Sequence, residues 1–203
     1  MQQKNTLTMG VIVALVIAVV AALNLSPAPA PTAATPTPEP STPLAAEEAR
    51  LLPISGDNLD GQTLSFPADF SAPFNLVVMP FNRDQQTAAV GWLATFEQAA
   101  RADERVAYYS IAALTDLQPF VRTLVVQGLN VAVRDADTRQ RVVVAFLEDQ
   151  AAFVAGLGTG DTAAMRVLIV AQDGRVLWQI SGEHNAEREA ALQAALAALL
   201  SAE

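Results

Sequence analysis

The order of patterns along the chain predicts an α/β fold with a mixed β-sheet. Asn75–Met79 is an almost wholly apolar run of strand length, as expected for a strand buried on both faces of a sheet. A helical pattern follows it, and a second apolar run, Val106–Ile111, comes next. Near the end, Asp173 and Gly174 separate two apolar runs, which predicts an antiparallel hairpin. A final helical pattern closes this order of elements.

Composition limits what the protein can do. The 203 residues are 52% hydrophobic, which is enough for one sizeable core and about one domain. The net charge of −9 argues against a nucleic-acid binder and against a basic patch that docks on anionic lipid. The sequence has no cysteine and a single histidine, His184, which excludes disulfides, thiol chemistry and a multi-histidine metal site. We therefore expect no catalytic residue, no metal site and no cofactor.

Residues 1–25 have the pattern of a segment that enters a membrane. Met9–Leu23 is uncharged and apolar throughout, and Leu7–Leu25 has only two polar interruptions. As a helix, Leu7–Leu25 would be about 28 Å long, which is enough to span the hydrocarbon core. A cleaved signal peptide and a retained signal anchor both fit. We favour the anchor, because prolines surround the small residues Ala28 and Ala30 where a peptidase would cut.

Residues 26–52 are predicted to be a linker. Ser26–Pro43 holds seven of the twelve prolines, mixed with alanine and threonine, and such a run favours extended conformations over a packed core. Ala45–Leu52 is expected to form a short helix leading into a domain at 53–203. The positive end of the N-terminal segment predicts that this domain lies on the extracytoplasmic side of the membrane, which is the periplasm in a Gram-negative cell.

The first part of the domain predicts a short strand or hairpin edge followed by the central strand and a long helix. Gly61–Phe66 is the predicted edge, and Pro67 closes it. From Asp84 onward the apolar residues recur at helical spacing, on a face formed by Ala89, Leu93, Phe96 and Ala100. Trp92 lies beside that face, and we expect it in the core rather than at a ligand site.

The middle of the chain is harder to interpret. Thr115 and Gln118 have the spacing of a capping box, which predicts a helix at Asp116–Gln127. Val131–Val133 and Gln140–Phe146 are predicted to be extended segments on either side of a polar turn at Asp135–Thr138. Two aspartates in that turn, at 135 and 137, could bind a cation, but a simple turn is the better interpretation. Residues 149–157 predict a short helix.

The last third predicts the hairpin Arg166–Ala171 and Arg175–Ile180, joined by a type I′ turn with positive φ at both central residues. Gly182 ends the hairpin. Asn185 is predicted to cap a final helix, Ala186–Leu200, whose buried stripe is Leu192, Leu196 and Leu199. His184 precedes this helix, and we expect a solvated residue of the cap region rather than a catalytic base.

This order of elements resembles the thioredoxin-like fold over residues 61–200. The resemblance rests on the apolar strand leading to Phe81 and a polar helix start, and on the ending Val167–Trp178 followed by Gly182. Within that superfamily the chain looks most similar to divergent proteins related to mitochondrial ATP-synthase assembly factors, on the residues Phe81, Arg83, Gln85, Gln86 and Trp178. The resemblance implies a three-layer α/β/α fold with a mixed sheet, and a role in binding or assembly.

The chain departs from the redox members of that superfamily in two places. They carry Cys-x-x-Cys where this chain has Asn82–Gln85, and a cis-proline before the hairpin where it has Ala164 and Met165. Thiol–disulfide exchange needs an attacking thiolate, so a thiol–disulfide oxidoreductase is excluded.

The segment after the central strand is the candidate binding loop, because ligands of α/β proteins bind beyond the carboxyl ends of strands. It comprises Pro80, Asn82, Arg83, Asp84 and Gln85. Arg83 and Asp84 could hold a small polar ligand with the free N–H groups of the helix start. The simpler interpretation is that Asn82 or Asp84 caps the helix.

Two functions follow as hypotheses. The first is a membrane-tethered, non-redox thioredoxin-like module that binds a protein partner in or at the membrane. The alternative is an enzyme that acts on a small polar substrate through residues of the loop other than cysteine. A deep pocket with convergent ionisable groups would favour the enzyme, and an exposed apolar patch would favour the binding module.

Overall fold

A computed structural model describes residues 49–115, 135–158 and 160–202. The helices and strands in these ranges, in chain order, are β1 (Ile54–Asn58), β2 (Thr63–Phe66), β3 (Phe74–Met79), α1 (Arg83–Ala102), β4 (Val106–Thr115), α2 (Ala136–Arg141), β5 (Val142–Leu147), α3 (Gln150–Gly156), β6 (Arg166–Ala171), β7 (Val176–Ser181) and α4 (Ala186–Ser201).

Several predicted segments lie outside the described residues. They are the membrane segment 1–25, most of the linker, the helix Asp116–Gln127 and the extended segment Val131–Val133. Within the described ranges, no helix has the length and apolar character needed to cross a membrane.

The strands form one mixed sheet in the order β2-β1-β5-β4-β3-β6-β7. β3, β4 and β5 run parallel to one another. β6 pairs antiparallel with β3, and β7 pairs antiparallel with β6. β1 and β2 form a hairpin that pairs with β5. The carboxyl ends of the three parallel strands therefore meet at one end of the sheet.

Helices cover both faces of the sheet, so the predicted three layers are observed. On one face, α1 and α4 place Trp92, Phe96 and Leu192 against Leu76 and Ile169 of the sheet. On the other face, α3 and an aromatic cluster fill the core, with Phe153, Phe66, Phe70 and Tyr109 among the buried residues. Because both faces are covered, all six residues of β3 are buried.

The best predicted elements are those with a strong cap or a strong apolar period. Asn82 caps α1 by accepting a hydrogen bond from the Gln85 N–H, and Asn185 caps α4 in the same way through the Arg188 N–H. Trp92 is fully buried, as expected for a core residue. Leu192 and Leu196 are buried in the stripe predicted for α4, and Leu199 packs against them.

The sequence patterns miss one strand and assign a turn to residues that begin a helix. β1 was not predicted, because Ile54–Asn58 has little apolar character and is held by pairing with β2 and β5. The polar segment Asp135–Thr138 is the start of helix α2 rather than a turn. The Asp135 side chain accepts hydrogen bonds from both the backbone N–H and the hydroxyl of Thr138. This cap and first turn nucleate a helix that buries no residue.

The hairpin between β6 and β7 is confirmed, but not its turn type. In the loop between β6 and β7, only Gly174 has a positive φ, of 88°, whereas a type I′ turn requires positive φ at both central residues. The Gly174 N–H donates to the Ala171 carbonyl, and the Ala171 N–H donates to the Arg175 carbonyl. The loop therefore has three residues, with the left-handed glycine in its last position.

Packing of the domain begins before residue 53. Ala49 and Leu51 are buried in the core, and Arg50 forms a β-bridge with Arg175. The short helix predicted at Ala45–Leu52 is therefore wrong for its described part, which is extended. The division of the chain into three segments stays a prediction.

Candidate functional site

The predicted loop lies at the carboxyl end of β3, and two glutamine side chains hold its backbone. The Phe81 N–H donates to Gln85 Oε1 at 2.8 Å, and the Phe81 carbonyl accepts from Gln150 Nε2 at 3.1 Å. Gln150 also donates to the Ala113 carbonyl of β4, at 2.6 Å. We call Gln85 and Gln150 the amide clamp. Because Phe81 itself is buried, the clamp fixes the loop to the core.

Gln85 also connects the candidate loop to the loop that precedes β6. Its Nε2 donates to the Thr162 carbonyl at 2.8 Å, and the residue is only 9% exposed. Both ends of this side-chain amide are thus engaged inside the protein. The sequence placed Gln85 in the binding loop as a contact residue, whereas the structure gives it an internal, positioning role.

Like Gln85, Pro80 is buried, and its carbonyl accepts a hydrogen bond from the Ala113 N–H at 3.0 Å, whereas the other residues of the loop are available to solvent. Asn82, Arg83 and Asp84 are exposed, and Asn82 is the helix cap described above. Thr87 and Val90 lie on the same side of α1 as Arg83, because residues four and seven positions apart share a helix face. Val90 is 63% exposed, more than any other large hydrophobic side chain in the described ranges. We call Arg83, Asp84, Thr87 and Val90 the α1 surface.

Arg166 is a residue of this region that the sequence analysis missed. It begins β6 opposite Met79, the last residue of β3, so it lies at the same end of the sheet as the loop. Its side chain is only 14% exposed. Burial lowers the pKa of Arg166, and the nearby carboxylate of Asp161 partly opposes this. The sequence signal that could have identified Arg166 is its charge at the first position of β6, whose other residues are all apolar.

His184 does not match the expected solvated residue, because its side chain is only 29% exposed. Its Nε2 lies 3.0 Å from Glu189 Oε2 and 3.3 Å from Thr95 Oγ1, and its ring packs edge-on against Trp92. A nucleophile–base–acid relay uses both ring nitrogens, whereas these two contacts share one. The arrangement therefore joins α4 to α1 and does not form a catalytic triad.

An open cleft of about 250 Å³ lies elsewhere, beside the amino-terminal half of β4. Its lining is Asn58, Gln62, Leu64, Asp69, Ser71, Tyr109, Gln140 and Arg141, so no residue of the candidate loop contributes. Hydrogen bonds tie much of this lining together, for example Tyr109 to Ser71 at 3.0 Å. This cleft does not supply the pocket at the end of β3 that the enzyme hypothesis requires.

The acidic side chains and the histidine of the described ranges are dispersed over the domain. No three histidine, aspartate or glutamate side chains come together there in a way that could hold an ion. Asp135 and Asp137, the pair considered from sequence, cap and begin helix α2. Hydrogen bonds from Thr138 lower the pKa of Asp135, as expected for a helix cap.

Comparison with known proteins identifies the fold but not the activity. No protein-family model matches the chain, and no curated protein matches it. A hypothetical protein from Sinorhizobium meliloti is 17% identical, with a TM-score of 0.51 over 77% of this chain and 85% of that one.

Two thioredoxin-like structures are also similar. The thioredoxin domain of a thiol-disulfide oxidoreductase from Bacteroides vulgatus is 14% identical, with a TM-score of 0.44 over 66% of this chain and 89% of that one. The exposed lipoprotein thioredoxin of Streptococcus pneumoniae is 11% identical, with a TM-score of 0.47 over 71% and 98%.

These identities bear on the fold alone. The strand order β4-β3-β6-β7, with β3 and β4 joined through α1 and β7 followed by α4, is that of the thioredoxin-like core. The predicted thioredoxin-like fold is confirmed, and so is the divergence from the redox members, because the sequence contains no cysteine. The likeness to ATP-synthase assembly factors stays a prediction.

Proposed function

We propose that this chain is a membrane-tethered, non-redox thioredoxin-like module that binds a protein partner on the extracytoplasmic side, in a binding or assembly role. The observation that carries the proposal is the amide clamp. At the place where redox members of the fold need an accessible, reactive thiolate, this chain has no cysteine and a loop fixed through Phe81 by Gln85 and Gln150. A fixed loop suits recognition, because little ordering entropy is lost when a partner binds.

The α1 surface gives the partner a place to dock. It combines a cation, an anion, a hydroxyl and the exposed Val90 within about two helical turns of the clamped loop. Interfaces of this kind have an apolar centre with a polar rim. The sequence supports the tether, since Leu7–Leu25 is long enough to span a membrane and Ser26–Pro43 would hold the domain away from it.

Site-specific crosslinking tests the binding surface. A photo-crosslinking amino acid is placed at position 87 of the full-length protein, in its native membranes, and at position 98 in a control. Gln98 is also exposed on α1 but lies about three helical turns beyond position 87, farther from the loop. We expect a discrete protein product from position 87 only. The double substitution Arg83→Ala with Asp84→Ala should remove that product, and Arg101→Ala, on the last turn of α1, should not.

Equal products from positions 87 and 98, or a product that survives the double substitution, would refute the α1 surface as the interface. The tether is tested separately, by extracting membranes with alkaline carbonate and by adding protease to intact and permeabilised spheroplasts. Release of the full-length protein by carbonate would contradict a retained anchor. Protection of the domain inside intact spheroplasts would contradict the extracytoplasmic location.

A further inference from the structure

The guanidinium of Arg166 has one engaged side and one vacant side. Nη1 donates to Ser181 Oγ, which fixes the orientation of the group. On the opposite edge, Nε is buried without a hydrogen-bond partner, and Nη2 has only Asp161 Oδ1 at 3.9 Å in the described ranges. Nε and Nη2 form the fork that binds a carboxylate through two parallel hydrogen bonds. That fork is therefore vacant.

Asp161 does not satisfy this fork. Its side chain is 65% exposed, and the same Oδ1 accepts a hydrogen bond from the Ala163 N–H at 2.9 Å. A separation of 3.9 Å is beyond hydrogen-bond distance. Among the described residues, the nearest counter-ion of this largely buried charge is Asp161, which lies beyond hydrogen-bond distance, and such a group favours an anionic partner that can reach it. Asp161 lies on its solvent side, so an incoming anion would replace it.

The position of Arg166 links the vacant fork to the loop. Asp161 directly precedes Thr162, whose carbonyl is held by Gln85 of the clamp. Met79, opposite Arg166 in the sheet, directly precedes the loop at Pro80. Strand alternation places the side chain of Arg166 on the face of the sheet that packs against α3, as for Leu168, whereas Val167 faces α1. A partner therefore reaches Arg166 by covering this end of the sheet beside the clamped loop, and not through the α1 surface alone.

We propose that the Nε–Nη2 edge of Arg166 binds a carboxylate carried by the protein partner, as an acidic side chain or a chain terminus. This inference rests on the proposed function and specifies the chemistry of the partner. The carboxylate first meets Nη2, displaces Asp161 and then pairs with Nε. A free carboxylate has the same chemistry, and the experiment below distinguishes the two sources.

Arginine side-chain NMR on the full-length protein tests the fork directly. Sodium acetate is titrated into protein labelled with ¹⁵N-arginine, with sodium chloride at matched ionic strength as the control. The Nε–H signal of Arg166, assigned through bonds from its own backbone resonances, should shift and saturate with acetate only. Arg175 is the internal control, because Asp173 already pairs with its Nε at 2.8 Å. Its signal should not follow the titration.

Two variants sharpen the test. Asp161→Asn removes the competing carboxylate and should tighten acetate binding severalfold. Arg166→Lys keeps the charge but loses the fork, and should weaken acetate binding about tenfold. Because the wild-type signal and Asp161→Asn are read without altering Arg166, poor folding of the lysine variant would not prevent a decision. An Arg166 signal that fails to saturate, or that responds equally to chloride, would overturn the carboxylate site.

The source of the carboxylate is decided by the crosslink from position 87. If the partner supplies it, Arg166→Lys should reduce that crosslink and added acetate should compete with it. Saturable acetate binding with an unchanged crosslink would overturn the assignment to the partner and leave a free carboxylate as the ligand. A crosslink that depends on Arg83 and Asp84 but not on Arg166, with no acetate site, would refute this inference alone.

Discussion

Replacing Gln85 tests whether the amide clamp fixes the loop. Gln85→Met preserves the length of the side chain but removes its acceptor and donor. The Phe81 N–H is then left buried without a partner, which costs about 1–3 kcal/mol, and the bond to the Thr162 carbonyl is lost at about 0.5–1.5 kcal/mol. We expect the free energy of unfolding to fall by about 2–4 kcal/mol.

The adjacent residue provides a matched control. Gln86 Nε2 is also buried but has no hydrogen-bond partner, so Gln86→Met removes an unsatisfied polar group and should leave stability unchanged or slightly raised. Urea denaturation of the full-length protein measures both variants. With a slope of about 2 kcal/mol/M, only Gln85→Met should lower the midpoint, by about 1–2 M. Amide hydrogen exchange at Phe81 should accelerate in the same variant. Equal midpoints for the two variants, with unchanged protection of Phe81, would show that the clamp does not hold the loop.

Two further predictions concern the frame of the domain. In Gly56→Ala the new Cβ would lie 2.5 Å from the carbonyl oxygen of Val144, and this oxygen cannot move away because it belongs to the backbone. We therefore expect thermal denaturation to show that the free energy of unfolding falls by at least the usual overpacking cost of about 1–3 kcal/mol. Gly160→Ala, with nothing within 4 Å, is the control, and an equal loss there would contradict the steric explanation. Hydrogen bonds from Arg105 lower the pKa of Asp103 from 3.8, so this carboxylate stabilises the fold above that pH and the contribution disappears as pH falls through the lowered value. Urea midpoints from about pH 6 down to about pH 3 should therefore fall less in Asp103→Asn than in wild type, and parallel curves would refute the linkage.

The elements that could be predicted are those whose cause is local in the sequence. Asn82 and Asn185 each cap a helix by accepting a hydrogen bond from the backbone N–H three residues later in the sequence. The nearly all-apolar sequence of β3 predicts a strand that is buried on both faces. β1 could not be predicted, because Ser55 and Gly56 gain their strand geometry from β2 and β5. The left-handed glycine of the last hairpin was correctly located, but the turn type depends on where pairing stops on both strands.

The candidate site also has features that could be predicted from local sequence and features that could not. Its position at the end of β3 followed from the strand and helix patterns, and the exposure of Arg83 and Asp84 followed from the helix cap. The clamp did not follow, because Gln85 meets Thr162 across 77 residues and Gln150 meets Phe81 across 69. A glutamine has the same appearance in sequence whether its amide faces water or the backbone of a distant loop.

The clamp also bears on which chemistry the loop can support. Oε1 and Nε2 of Gln85 are both engaged by backbone groups, so this residue offers a substrate no free polar atom. The exposed residues of the loop are a cap, a cation and an anion on the rim of α1, and none is desolvated in the way that usually prepares a catalytic group. Arg166 is the buried charge of this region, and an arginine that stays protonated binds anions rather than transferring protons. The proposed recognition of a partner that carries a carboxylate would use the exposed Arg83 and Asp84 together with the buried guanidinium of Arg166.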